Sequence, residues 1–331
     1  MDLKATLSPY VKQVDEALLT SLGDITPSSL RDACAHYPAA GGKRLRPVVA
    51  LLACEAAGGH RVQAVPVAVA LELVHNFSLV HDDIMDRDDT RRGIPTVHKK
   101  WSEATAILAG DTLLAKAFEL LADSNIPPET QQRIVLDLAT MTRVLCEGQE
   151  LDMAFETRDA TEPEYLDMIY RKTARIFEVA ARCGAIVGLK QRGLGDNTAV
   201  KALEQYGKHL GLAFQIRDDV IDLLSTSAEM GKPQGSDVRK GKKTLIHLHA
   251  KAHATPDELA TLNAIHGRAN ASNDDVAVVI NIYRRTGGIA RAEALVGEHT
   301  KGALDCLTQL PATPARESLR ALAEFAAGRR A

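Results

Sequence analysis

Two short acidic clusters, Asp82-Asp83-Ile84-Met85-Asp86 and Asp218-Asp219-Val220-Ile221-Asp222, are the residues of this chain best suited to chemistry. Each lies inside an apolar run with the three- and four-residue periodicity of a helix. At that spacing, residues three and four apart are neighbours on one face. Asp82, Asp83 and Asp86 therefore form one wall of carboxylate oxygens, and Asp218, Asp219 and Asp222 form a second. Crowded carboxylates repel one another at neutral pH. Hard oxygen donors gathered in this way suit a divalent cation, above all Mg²⁺ bridging to a phosphorylated substrate. A single cluster of this kind could equally be a solvated acidic face. Two copies of one spacing, both flanked by apolar helix, favour the metal.

Basic groups accompany the carboxylates. Gly41-Gly42-Lys43-Arg44-Leu45-Arg46-Pro47 places three cations in a glycine-led turn, and Arg91-Arg92-Gly93 follows the first acidic cluster. Arg171-Lys172-Thr173 lies mid-chain, and Gly231-Lys232-Pro233 and Gly241-Lys242-Lys243-Thr244 follow the second cluster. Arginine holds phosphate in bidentate geometry and lysine binds it as a point charge. Singly, each group reads as surface charge; together with the two acidic walls they describe a site for two polyanionic groups. Other motifs fail. Gly235 to Lys243 has the wrong glycine spacing for a nucleotide P-loop and no Ser or Thr after Lys242. Asp86 to Arg91 lacks the turn glycine of a calcium loop. His75, on roughly the same helical face as Asp82, reads either as a core histidine or as a site residue.

The elements that must position these groups are helices. Periodicity predicts long helices at Val67–Met85, Ala104–Ala122, Gln131–Phe155, Glu162–Val187, Ala199–Leu224 and Asp274–Leu307, with no convincing strand. Gly, Pro, Asn and Ser cluster at the breaks Asp123–Pro128, Gln191–Asn197, Thr226–Gly241 and Pro311–Pro314. No linker or repeat divides the chain. The expectation is one all-α domain spanning residues 1–331, a bundle of about a dozen helices around a central cavity, with the two acidic helices facing each other across it. A composition of 45% hydrophobic and 25% charged residues is that of a soluble globular protein. A net charge of -3 gives no case for nucleic acid. Five scattered cysteines with no C-x-x-C fit a reducing cytoplasm. No secretion signal is evident, and no apolar run is expected to reach the roughly 20 residues of a membrane span, the best being Pro47 to Cys54.

From Gly41 to about Ala292 the chain resembles the trans-isoprenyl diphosphate synthases, the family of farnesyl and geranylgeranyl diphosphate synthases. The resemblance rests on Gly41 to Pro47, Leu79-Val80-His81 leading into Asp82 to Asp86, and Arg91 to His98. It continues through Ala109-Gly110-Asp111, Glu147-Gly148-Gln149, Lys172-Thr173-Ala174, Phe214 to Asp219 and Gly231 to Asp237. Asp-Asp-Ile-Met-Asp and the later Gly-Lys-Lys-Thr-Leu-Ile look most like the archaeal short-chain branch.

The resemblance implies an isoprenoid synthase type I fold, usually a homodimer. It implies condensation of isopentenyl diphosphate with an allylic diphosphate, without nucleic acid or stable membrane insertion. Three Mg²⁺ ions would bind through Asp82, Asp86 and Asp218, with Asp83, Asp219 and Asp222 supporting them or adding contacts. Arg91, Lys172 and Lys232 would stabilise the departing diphosphate, and Lys43, Arg46, His75 and Arg92 would hold isopentenyl diphosphate. Thr173 and Gln215 would stand near the allylic carbocation, with Lys242 also at the substrate. The chain departs from the pattern at Lys240, where an acidic residue is usual. An aromatic at Phe77 with the small Ser78 implies a C20 product, with C15 the runner-up. A terpene cyclase on the same fold would normally replace the second Asp motif. A non-catalytic subunit would typically lose acidic residues, and none is missing here. Asp82→Ala and Asp218→Ala are each expected to lower turnover by orders of magnitude without disturbing the fold.

Overall fold

The computed structural model describes residues 2–189, 197–224 and 234–329 of the chain. These residues are helical throughout except for connecting turns and one small hairpin. The chain divides into two compact units, each discontinuous in sequence. Met1–Thr142, Val179–Glu204 and Leu307–Ala321 make one; Arg143–Glu178, Gln205–Cys306 and Leu322–Ala331 make the other.

In the first unit, α1 (Leu3–Ser21), α2 (Ser28–Ala39) and α3 (Leu45–Ala56) precede α4 (Val65–Met85), the helix of the first acidic cluster. Pro66 opens α4, where a missing N–H costs nothing. From Val67 to Ser78 nearly every side chain of α4 is buried, so this is a core helix wrapped by its neighbours. Arg44 belongs to that core rather than to the cationic turn beside it. Only 3% exposed, it pairs at 2.7 Å with both Glu72 and Asp15.

α4 also corrects one reading. The helical segment Arg61–Met85 is long and apolar enough to cross a membrane, with mean hydropathy 1.4 over its best window. But 78% of that window is buried inside the protein, which marks it as a core helix of the fold.

Beyond α4 a two-residue turn joins β1 (Thr90–Arg91) to β2 (Ile94–Pro95) in an antiparallel hairpin pairing Thr90 with Pro95 and Arg91 with Ile94. Both turn residues have positive φ, Arg92 at 53° and Gly93 at 77°, the geometry that matches the natural twist of paired strands. Two-residue strands are too short for an alternating pattern to show in sequence. The one-turn α5 (Val97–Lys100), α6 (Glu103–Ala122) and the first half of α7 (Pro128–Thr157) follow.

The second unit holds α8 (Glu162–Ile169), a π turn at Tyr170–Ala174, the start of α9 (Arg175–Leu189) and most of α10 (Thr198–Leu224). The expected single helix over 162–187 is thus interrupted by the π turn. The expected helix over 274–307 is two, Asn273–Arg285 and Gly288–Leu307, broken at Gly287 with φ 81°. Leu212, Ile216, Val220 and Leu223 of α10 form a buried stripe at three- and four-residue spacing against Tyr165, Val238, Leu245 and Tyr283.

Within this core His247 stacks on His266, ring centroids 3.7 Å apart, with the Tyr283 hydroxyl 3.0 Å from His247 Nδ1. Burial pushes His247 down to about 3 and His266 down to about 4. The folded protein keeps both rings neutral while the unfolded chain protonates near the usual 6.5. Stability is therefore full above that value and declines as pH falls toward 4. At pH 5 an uncoupled histidine of this kind costs about 2 kcal/mol by linkage. Urea midpoints should fall between pH 7 and pH 5, less steeply in His266→Phe. A wild-type midpoint flat over that range would contradict this.

Candidate active site

In the first unit, the end of α4 sorts the three carboxylates of its cluster by environment. Asp82 is half-buried, Asp86 exposed and Asp83 wholly buried. Asp83 accepts from the Nε of Arg91 at 2.8 and 2.9 Å, and the Arg91 terminal nitrogen lies 2.6 Å away. The Tyr37 hydroxyl donates to its other side and in turn accepts from the Val97 N–H at 3.3 Å. This network fixes the hairpin to α4. It follows that Asp83 is a structural anchor for Arg91, while Asp82 and Asp86, one turn apart, are the more accessible carboxylates of the cluster.

A cationic cluster lies further back along α4. The Arg46 guanidinium donates to His75 Nε2 at 3.2 Å. Arg92 lies against Gly42, where a Cβ would come within 3.0 Å of its terminal nitrogen, and it donates to the Gly41 carbonyl. Lys43 stands exposed beside it. His75 is held well below its usual pKa, first by burial and then by Arg46, Arg92, Arg91 and Arg44. It is therefore a neutral hydrogen-bonding group ringed by guanidinium charge. Arg92 keeps a backbone conformation that non-glycine residues seldom adopt, which is common where a side chain must be aimed.

In the second unit, the cluster on α10 is graded similarly. The Asp218 side chain is 41% exposed, whereas Asp219 and Asp222 are buried. Asp222 accepts the Asp237 N–H at 2.9 Å and so ties the following segment to the helix. Asp219 accepts from the Tyr165 hydroxyl and, at 3.1 Å, from the Gln215 amide. Its carboxyl is raised above the usual range, by burial first and by Asp237 next, with Lys242 opposing. The Thr173 hydroxyl donates to the Gln215 side-chain amide oxygen at 3.0 Å, and Lys172 pairs with Asp152 of α7. Lys172 and Thr173 both lie in the Tyr170–Ala174 π turn, a local geometry frequent at functional sites. Lys232 lies outside the described residues.

One residue of this site has no counterpart in the sequence reading. Arg329, only 8% exposed, pairs with Asp218, donates to the Phe214 carbonyl at 3.2 Å and stacks its guanidinium 4.0 Å above the Phe214 ring. The only sequence signal was a basic pair just past the last helix.

The donor chemistry fits Mg²⁺. Among the described residues no group of three or more His, Cys, Asp or Glu side chains closes around a common point. Mg²⁺ is ordinarily held by one or two carboxylates together with substrate phosphates rather than by a protein cage. Accessible carboxylates at the end of one helix and a neutral, cation-ringed histidine farther back along it describe a protein that handles phosphorylated substrates.

This chain belongs to the polyprenyl synthetase family, which matches residues 27–283. It is accordingly a prenyltransferase of the chain-elongating class, with the isoprenoid synthase fold. A short chain isoprenyl diphosphate synthase of Methanothermobacter thermautotrophicus is 42% identical over 326 residues, covering 98% of each chain. A geranylgeranyl diphosphate synthase of Saccharolobus solfataricus is 40% identical over 307 residues, covering 91% of each. Among solved structures, the geranylgeranyl pyrophosphate synthetase of Pyrococcus horikoshii superposes with a TM-score of 0.93 at 43% identity, covering 99% of this chain and 98% of that one.

Proposed function

We propose that the protein condenses isopentenyl diphosphate head-to-tail (1'-4) with an allylic diphosphate in a Mg²⁺-dependent reaction, giving mainly geranylgeranyl diphosphate (C20) and less farnesyl diphosphate (C15). The observation that carries this reading is the division of α4 between two kinds of anion site. A cluster of cations around His75, with Arg46 hydrogen-bonded to it and Arg92 nearby, suits a diphosphate that is bound and kept. The more accessible carboxylates Asp82 and Asp86 suit one that is held through metal and leaves.

Asp82, Asp86 and Asp218 would hold three Mg²⁺ ions, which when bound supply Lewis-acid stabilisation of the departing diphosphate. Lys43, Arg46, His75 and Arg92 orient isopentenyl diphosphate; Arg91, Lys172, Lys232 and Lys242 serve the leaving group. The allylic C1–O bond breaks with its electron pair going to diphosphate. The isopentenyl double bond attacks the cation, and the departing diphosphate takes the proton released. Thr173 and Gln215 offer uncharged dipoles to the cation. The two units work as one catalytic domain over residues 1–331, a reading supported by a family match that runs through both.

The enzyme is read as a cytoplasmic homodimer. None of its five cysteines is in a disulfide, and Ile107, Leu108 and Leu136 expose apolar surface on α6 and α7. A monomer in sedimentation would remove the dimer. The deciding experiment incubates the purified chain with isopentenyl and dimethylallyl diphosphates, with Mg²⁺ and with chelator, and identifies the products. Metal-dependent linear C20 diphosphate is expected. A cyclic hydrocarbon, or turnover only after a second protein is added, would overturn the proposal.

Product length should be set near Phe77 and Ser78, about one helical turn, roughly 6–7.5 Å, before Asp82. Phe77 is buried with its ring 4.9 Å from that of His81, and His81 Nε2 lies 3.2 Å from the Ile107 carbonyl, so the aromatic is braced. Phe77→Ser opens a void where the ring stood, and its products should shift beyond C20. An unchanged product spectrum would place the floor elsewhere.

A further inference from the structure

We propose that Gln149 is a further catalytic residue of the condensation, its side-chain amide oxygen facing the allylic cation. Gln149 lies on α7 and is 5% exposed, and neither atom of its amide has a hydrogen-bond partner among the described residues. Buried polar atoms in folded proteins are nearly always paired, so an amide with both ends unmatched by protein groups marks a place where the partner comes from outside.

Its position gives that partner a chemistry. Gly148, the preceding residue, runs so close to the π turn that a Cβ there would strike the Lys172 backbone nitrogen and the Arg171 side chain. Asp152, farther along the same helix, is ion-paired with Lys172. At about 100° per residue, Gln149 stands roughly 60° around the helix from Asp152. The amide therefore borders the turn that carries Lys172 and Thr173, and Thr173 is hydrogen-bonded to Gln215.

A carbonyl oxygen is well matched to a transient carbocation. Its dipole stabilises developing positive charge in a dry site, yet it is a weaker nucleophile than a carboxylate and less able to trap the cation covalently. Gln149 makes and breaks no bond. The C1–O electron pair leaves with diphosphate, the isopentenyl double bond supplies the new carbon–carbon bond, and the proton departs with diphosphate. The inference rests on the condensation proposed above, and wild-type turnover in the same assay tests that reading separately.

The experiment compares wild type with Gln149→Leu, which keeps similar volume and removes both polar atoms. Loss of one preorganised dipole should lower kcat by about 10²-fold, and because the contact is made to the cation rather than the ground state, KM for both substrates should move less than about threefold. The thermal midpoint should stay level or rise, since an unmatched buried amide has been removed. An analogue of the allylic diphosphate with an ammonium in place of the cationic carbon should bind about tenfold more weakly to the variant, while the thiolodiphosphate analogue, which carries no positive charge, binds as before. A kcat within about twofold of wild type, or equal weakening of both analogues, would overturn the assignment. So would a lowered midpoint with kcat preserved, the mark of a purely structural amide. If Gln149→Leu does not fold, Gln149→Met provides the same comparison with a more adaptable side chain.

Discussion

Asp82→Ala should lose turnover by about 10²–10³-fold while its unfolding midpoint barely moves. Asp83→Ala, one residue along, should instead damage the protein itself. Asp82 is half-buried at the end of α4, one turn from Asp86, so removing it deletes a charge-stabilising contact and relieves repulsion from Asp86. Asp83 is completely buried between Arg91 and Tyr37. Truncating it strands the Arg91 guanidinium and leaves the Tyr37 hydroxyl without its acceptor, and breaking a buried pair in this way costs about 3–5 kcal/mol. Denaturant titrations and steady-state turnover on the two variants separate these roles. Normal turnover in Asp82→Ala would remove the metal assignment, and an unshifted midpoint in Asp83→Ala would remove the anchoring role.

Asp218→Ala should match Asp82→Ala in lost turnover but not in stability, against the expectation from sequence that both leave the fold undisturbed. Asp218 is the counter-charge of Arg329, whose guanidinium is nearly excluded from water. Without it, a buried cation keeps, among the described residues, the Phe214 carbonyl and ring. Leaving a charged group short of its partner costs about 1–3 kcal/mol, at the lower end here because the carboxylate is partly exposed. The double variant Asp218→Ala/Arg329→Met should regain most of that stability and none of the activity. If the single variant unfolds at the wild-type midpoint, the pair has no structural role.

The local parts of this design were legible in the sequence and the long-range parts were not. The α4 helix, its opening at Pro66 and the pair of carboxylates one turn apart follow from periodicity and spacing. The roles of Arg44 and Asp83 do not, because a buried ion pair and an exposed one look alike until the partners Glu72, Asp15, Tyr37 and Arg91 are placed. Arg329 meets Asp218 across more than a hundred residues, beyond the reach of any local pattern. The helix break at Gly287 was missed because apolar spacing continues on both sides of it. Gly287 itself was the available clue, since a helix commonly ends at a left-handed glycine.

The π turn at Tyr170–Ala174 has an engineering consequence. Deleting one residue from it would let α8 run into the start of α9 as plain α-helix. The same deletion would re-space the side chains within the turn by up to about 100° around the axis, carrying Thr173 away from Gln215. The shortened helix would be the more regular one and the poorer site. Algorithms that optimise helical regularity should therefore stabilise this segment at the expense of its chemistry.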